Sequence, residues 1–299
     1  MTLVLEAGLA LLAAFCATLT LIAQSPKPAT MQVILLGTGY PRPDPDRAGP
    51  SNAIIVGQKV FIVDAGRGVM MRLAATGIPI ASIHTVFLTH LHSDHTAGLP
   101  DLFATTWVLR RAIPLELYGP EGTDQLSKAL LDYFAADIHI RRDLQEMLPA
   151  AGATINTHIV HEGMAYQDEE VKITAFLEDH RPVEPAFGYR FDSRGKSVVI
   201  SGDTRPNENL IRYAKDADVL VQEAYLPEHF DRVDPPEVAA KLKHYHTSAE
   251  EAGQIAAKAS VKLLVLTHLV PGDADATFLE RAGKYFHGKI VVGHDLMRF

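Results

Sequence analysis

The stretch His90-Leu91-His92-Ser93-Asp94-His95 places three imidazoles and one carboxylate within six residues. It follows Val86-Phe87-Leu88-Thr89, an apolar run that reads as a buried strand. His90 and His92, two apart just past a strand, can point towards one ion. Asp94 and His95, on the turn that follows, can reach a second. A lone histidine at a strand end is commonly structural, but this many donors at this spacing point to metal ligation.

The same design recurs downstream. Val198-Val199-Ile200-Ser201-Gly202-Asp203 and Leu263-Leu264-Val265-Leu266-Thr267-His268 are also apolar, β-rich runs that end on a potential ligand. Strand ends are where a rigid scaffold presents chemistry. Upstream, Gln32–Leu36 reads as a buried strand, and Ala53–Val56 with Val60–Val63 as a hairpin about Gly57-Gln58. Helical stretches are predicted at Leu102–Arg111, Asp124–Phe134, Asn207–Lys215 and Ser248–Lys258. Strands and helices mixed in this way, with one site at the strand ends, predict a layered α/β fold. No linker divides residues 31–299, so they are read as one domain.

Bulk properties narrow the chemistry. The chain has 299 residues, 47% of them apolar, enough for one large core. A formal charge of −8 argues against holding a long nucleic acid by phosphate neutralisation. The single cysteine, Cys16, lies in the N-terminal apolar run, so thiolate metal sites and disulfides are excluded from the body. Any transition metal must be held by imidazole and carboxylate, and fourteen histidines supply the former.

From Ala7 to Ala23 the chain is uncharged and rich in Leu and Ala, the length of a signal-peptide core rather than a full membrane span. Residues 1–30 are therefore read as a signal peptide or N-terminal membrane anchor, which predicts a periplasmic or secreted protein. Against this, no Lys or Arg precedes the run, and Glu6 stands where positive charge is expected. Met31 is an alternative start, and translation from it would give a cytoplasmic protein.

His-x-His-x-Asp-His resembles the signature of the metallo-β-lactamase superfamily, whose fold is an αββα sandwich with a two-metal site at one edge. The resemblance extends over residues 31–299, and the order of its motifs looks most like the ribonuclease Z and arylsulfatase-like branch. Asp64, in Val63-Asp64-Ala65-Gly66, matches the family's early aspartate. By the same resemblance His90, His92 and His180 would hold a first metal, and Asp94, His95 and His268 a second, with Asp203 between them. Five imidazoles and two carboxylates suit two Zn²⁺ ions, with Mn or Fe compatible. Such a pair, roughly 3.5–4 Å apart, makes hydroxide available at neutral pH and clamps the reacting oxygens. Asp94 can accept the proton of that water.

His246-Thr247-Ser248 precedes Ala249-Glu250-Glu251, and Thr247 with Glu250 has the spacing of a capping box. His246 then stands just outside a helix N-terminus, either as a structural histidine or as a donor to the leaving group. The ribonuclease Z resemblance implies the second role, paired with Glu223, although Gln222 replaces the histidine usual before that glutamate. Two features depart from the branch. The long arm that grips tRNA is missing, since Phe191-Asp192-Ser193-Arg194-Gly195-Lys196 leaves only a tight turn. The first loop, Pro41-Arg42-Pro43-Asp44-Pro45-Asp46-Arg47, is acidic where a basic one is usual.

The expected function is thus hydrolysis of a small phosphodiester, or of a sulfate ester of similar shape, by attack of a metal-bound hydroxide. The partner is then a small-molecule ester, membrane contact is confined to the N-terminal segment, and a homodimer is compatible. The alternative is a ribonuclease Z-type endoribonuclease. A lactonase or β-lactamase ranks third, because Pro206 stands where lactonases usually carry a tyrosine. A metal-binding protein without catalysis would bind ions but turn over no activated ester. Elsewhere, Phe103 and Trp107 at i and i+4 read as core, and Arg110-Arg111 as surface charge or an anion-attracting patch.

Overall fold

A computed structural model describes residues 31–299. The expectations placed on residues 1–30, including Cys16, lie outside the described residues. Among the described residues, no helix is long and apolar enough to cross a membrane.

The first sheet holds six strands in sequential order, β1 (Met31–Gly37), β2 (Ser51–Val56), β3 (Lys59–Val63), β4 (Thr85–Phe87), β5 (Leu115–Gly119) and β6 (Ile155–Ile159). Its first two pairs are antiparallel and its last three parallel. The β2–β3 hairpin turns at Gly57 with φ 62°, a conformation that suits glycine. Against one face lie the helices α1 (Val69–Ala74), α2 (Ser93–Thr96), α3 (Leu99–Val108) and α4 (Thr123–His139).

The second sheet runs in reverse order from the C-terminus, through β13 (Lys289–Val292), β12 (Leu263–Val270), β11 (Val219–Tyr225), β10 (Lys196–Ile200), β9 (Val183–Ser193), β8 (Lys172–His180) and β7 (Gly163–Gln167). The helices of this half are α5 (Glu208–Ala214), α6 (Pro227–Phe230), α7 (Pro236–His244), α8 (Ala249–Ala259) and α9 (Asp275–Gly283).

Strand alternation makes the layers. Along β1, Ile34 and Leu36 enter a core shared with Val69, Leu102 and Phe103, while Val33 and Leu35 face Ile173, Tyr189 and Phe191 across the sheet gap. A third core packs Val199, Leu220 and Leu264 against Leu210, Ile255 and Phe278 of α5, α8 and α9. Sheets covered on both faces need near-continuous apolar strands, as their sequences have. The result is the expected αββα sandwich. Phe103 and Trp107 are core residues, with Trp107 Nε1 donating to the Pro149 carbonyl at 3.0 Å.

Four local expectations change. β4 ends at Phe87 and β10 at Ile200, so the ligands downstream sit on extended chain beyond the strands. β12 instead runs past His268, because β11 pairs Glu223 with Thr267 and then Ala224 with Leu269. His268 is the extra residue of a bulge, with φ 48°, a device that re-aims a side chain. Ser248, not Thr247, caps α8, completing a capping box with Glu251. The Thr247 hydroxyl donates to the Thr204 carbonyl instead. Arg111 is no surface charge: it is fully buried, donating to Thr106 Oγ1 and to the Ile113 carbonyl.

Candidate metal centre

Four segments from both sheets converge at one edge of the sandwich. The chain after β4 carries His90, His92, Asp94 and His95; β8 ends on His180; the chain after β10 carries Asp203; and the β12 bulge carries His268. All seven residues that the resemblance implied therefore meet. His90, His92, His180 and Asp203 each offer a donor atom, all within 4.8 Å of one another. Asp94, His95 and His268 make a second such group. Asp203 bridges them in space, with Oδ1 3.3 Å from His95 Nε2 and Oδ2 3.4 Å from His268 Nε2 and 3.9 Å from His90 Nε2.

Three of the five imidazoles are oriented from behind. His95 Nδ1 lies 2.8 Å from Asp64 Oδ2, His90 Nδ1 lies 3.0 Å from Thr89 Oγ1, and His180 Nδ1 donates to the Tyr245 carbonyl at 3.0 Å. Asp64 also accepts from the Thr89 amide at 2.8 Å. These contacts turn Nε2 of all three rings inward, the arrangement usual for metal-ligating histidines. The other two differ: His92 presents Nδ1 to His180 Nε2 at 3.4 Å, and His268 Nδ1 has no hydrogen-bond partner.

The residues fit a pair of cations on structural grounds. His90 Nε2, His95 Nε2 and Asp203 Oδ1 are buried yet have no partner of hydrogen-bonding geometry. The 3.3 Å approach of the last two is proximity without alignment. Buried polar atoms are otherwise almost always paired, and a nitrogen and oxygen donor set suits Zn²⁺. Burial pushes the pKa of His90, His92 and His180 down, which keeps them neutral donors. His95 and His268 resist the same burial because Asp203 lies beside both, so His95 is held well above the ordinary range and His268 at about 9. Asp203 is correspondingly held well below the carboxylate range, against its own burial, by His268 and His95.

His246 and Glu223 adjoin this cluster. His246 Nδ1 is 2.7 Å from Glu223 Oε2 and 3.9 Å from Asp203 Oδ2. Burial drives Glu223 up, with Asp203 adding to it, and drives His246 down to about 4. The Glu223 contact directs the other ring nitrogen of His246 away from the glutamate. His246 stands two residues ahead of the Ser248 cap, so the N-terminus of α8 is not its immediate setting. His294 and Asp295 lie outside the centre. Asp295 accepts from the Thr38 and Ala48 amides and from Arg72 Nε at 2.7 Å, pinning the C-terminal segment to the first loop.

Sequence reasoning missed the Tyr245 carbonyl, which has no side-chain signature. It also missed α7, whose residues Lys241 and His244 line a cleft of about 740 Å³ that opens onto His92 and His180. Three basic residues within four positions at the end of that helix (Lys241, Lys243, His244) were the available signal.

The αββα layers and this cluster define a metal-dependent hydrolase fold. The chain belongs to the beta-lactamase superfamily, whose domain model matches residues 59–269. More narrowly, it is 40% identical over 278 residues to a ribonuclease Z of Mycobacterium bovis (strain BCG / Pasteur 1173P2), spanning 90% of this chain and 97% of that one. Among solved structures it is similar in fold to the metallo-β-lactamase fold protein YhfI from Bacillus subtilis, at TM-score 0.71 and 21% identity, covering 90% of this chain and 98% of that one. Human short-form tRNase Z is similar at TM-score 0.66 and 24% identity, with the same coverage.

These relatives correct two expectations. The expected periplasmic or secreted location is overturned by the relatives, which match 90% of the chain and are ribonucleases Z by name. The missing arm also loses its force as an argument against the ribonuclease Z reading. Arg194 and Gly195 do form a two-residue turn, with φ 48° and 77°. Yet 278 aligned residues spanning 90% of this chain leave no room for a long inserted arm in the Mycobacterium bovis protein either.

Proposed function

We propose that the protein is a two-metal phosphodiesterase of ribonuclease Z type, acting on RNA. The observation that carries this reading is the His246–Glu223 contact of 2.7 Å beside Asp203. It would supply a proton donor beside a ligand set suited to two cations, and the ribonuclease Z relatives favour RNA over other esters.

His90, His92 and His180 would hold one ion and Asp94, His95 and His268 the other, with Asp203 shared. When bound, such ions supply charge against the phosphoryl oxygens and lower the pKa of water between them. The chain's own part is acid–base work and positioning. Asp94, whose Oδ2 lies 3.3 Å from His268 Nε2, would take a proton from the attacking water. His246 gives one to the departing oxygen. Glu223 keeps the ring oriented, and the negative charge of a bound phosphodiester would oppose the burial that holds His246 down to about 4, favouring the cationic form that donates. Asp64, Thr89 and the Tyr245 carbonyl hold the ligands in register.

A second reading, hydrolysis of a small phosphodiester or sulfate ester, draws support from the acidic first loop, where Asp44 lines a separate pocket with Tyr40 and Arg42. A parallel assay of precursor tRNA, an aryl phosphodiester and an aryl sulfate, with zinc content measured, decides between them. The RNA reading expects cleavage of precursor tRNA at its 3′ end with kcat/KM above that on the aryl esters. Turnover of the aryl esters alone would reverse the order.

A further inference from the structure

Beside the metal cluster runs the cleft of about 740 Å³, within the range for a drug-sized ligand. His92 and His180 close its inner end. Pro182 and Val183, at the β8–β9 turn, form one wall. The other is α7 with the residue after it, where Val238, Lys241 and Tyr245 recur at i, i+3 and i+7 and so share a face.

The chemistry of the walls is selective. The Tyr245 ring stands roughly perpendicular to His180, at 5.2 Å and 86°, lies tilted against His246 at 4.8 Å, and lines the cleft, where it is open to a ligand. Pro182, Val183 and Val238 give an apolar slot around it. Lys241 lines the cleft and makes no ion pair among the described residues, whereas Arg181 pairs with Asp179 and Glu184, and Arg205 with Asp179. An aromatic face, an apolar slot and one free cation suit a planar base joined to a phosphate. A neutral lactone or alkyl ester would leave Lys241 unmatched. His246 does not line the cleft, so the leaving group departs on another side.

Resting on the phosphodiesterase reading above, we propose that this cleft seats the nucleoside that keeps the phosphate after cleavage, its base on Tyr245 and its charge met by Lys241.

The test uses the zinc-loaded full chain and two esters with one leaving group, thymidine 5′-(4-nitrophenyl phosphate) and methyl 4-nitrophenyl phosphate. Val238→Trp, on the exposed face of α7, fills the slot, and Lys241→Glu reverses the charge. Each is expected to lower the ratio of kcat/KM, nucleoside ester over methyl ester, by about tenfold, the scale of one base stack. Equilibrium binding of thymidine 5′-phosphate should weaken to a similar degree. An unchanged ratio and unchanged nucleotide binding in Val238→Trp would overturn the proposal, as would equal slowing of both esters, which would put the aryl group in the cleft. If the wild-type chain binds the nucleotide through these residues but hydrolyses neither ester, the cleft stands and the phosphodiesterase reading fails.

Discussion

His95 Nδ1 meets Asp64 Oδ2 at 2.8 Å, and Asp64 holds a left-handed backbone, φ 62°, at the end of β3 to make that contact. A non-glycine residue in this region carries local strain, which persists where surrounding bonds over-determine it. Here the Thr89 amide and hydroxyl both donate to the same carboxylate. One side chain of the first sheet therefore fixes both the metal loop and the tautomer of His95.

Asp64→Asn should keep the fold and weaken zinc binding by about 10–100-fold, the usual cost of losing a partner behind a ligating histidine. Competition against a chromophoric chelator measures it. Unaltered affinity would mean that His95 needs no support from Asp64.

His246→Ala should retain its metal content and lose about 10²–10⁴-fold in turnover of a diester with a poor leaving group. With a 4-nitrophenolate leaving group the loss should be smaller, because that oxygen needs no proton. Equal losses on both esters would assign His246 to positioning rather than acid catalysis. Asp94→Ala should lose activity on both esters together with part of its metal content, since this residue lies within the second ligand group.

Asp168 ties the two sheets together. Its carboxylate accepts from Lys59 Nζ at 2.6 Å, from the Tyr166 hydroxyl at 2.7 Å, and from the amides of Glu170 and Val171. Those bonds outweigh partial burial and hold Asp168 well below the carboxylate range, while Lys59 is raised to about 12, chiefly by Asp168. A depressed carboxylate stabilises the fold above its unfolded pKa, and that contribution is lost as pH falls through the lower folded value. Asp168→Asn should cost about 1–3 kcal/mol at pH 7. Its urea midpoint should converge on that of the parent as pH drops below about 4. A gap that is constant with pH would show that the ionised form contributes nothing.

Arg111 is a buried cation whose partners are carbonyls and a hydroxyl. Arg111→Met should destabilise the chain by about 1–3 kcal/mol, because the Ile113 carbonyl and Thr106 hydroxyl lose their donor. Urea denaturation checks this, and zinc affinity should not move. A loss of substrate affinity without a loss of stability would revive the anion-patch reading.

Which parts were legible in the amino acids follows from how local each feature is. His90 to His95 needs only six residues and one strand end, so its ligand set is written in the chain, and apolar runs covered on both faces announce a layered α/β core. Distant partners are of another kind. That His180, Asp203 and His268 come within reach of that loop follows from the sequence only through resemblance, and the convergence itself is made by two sheets packing face to face. His268 shows the limit most clearly, since its direction comes from a bulge that exists only because β11 lies alongside. The Tyr245 carbonyl, the burial of Arg111 and the cleft under α7 belong wholly to the tertiary structure. Backbone oxygens carry no residue code, and neither the burial of a charge nor the wall of a cleft exists until another element packs against it. The metal loop that opened the sequence is therefore a local property of the chain, while its orientation by Asp64 and the pocket it faces are products of packing.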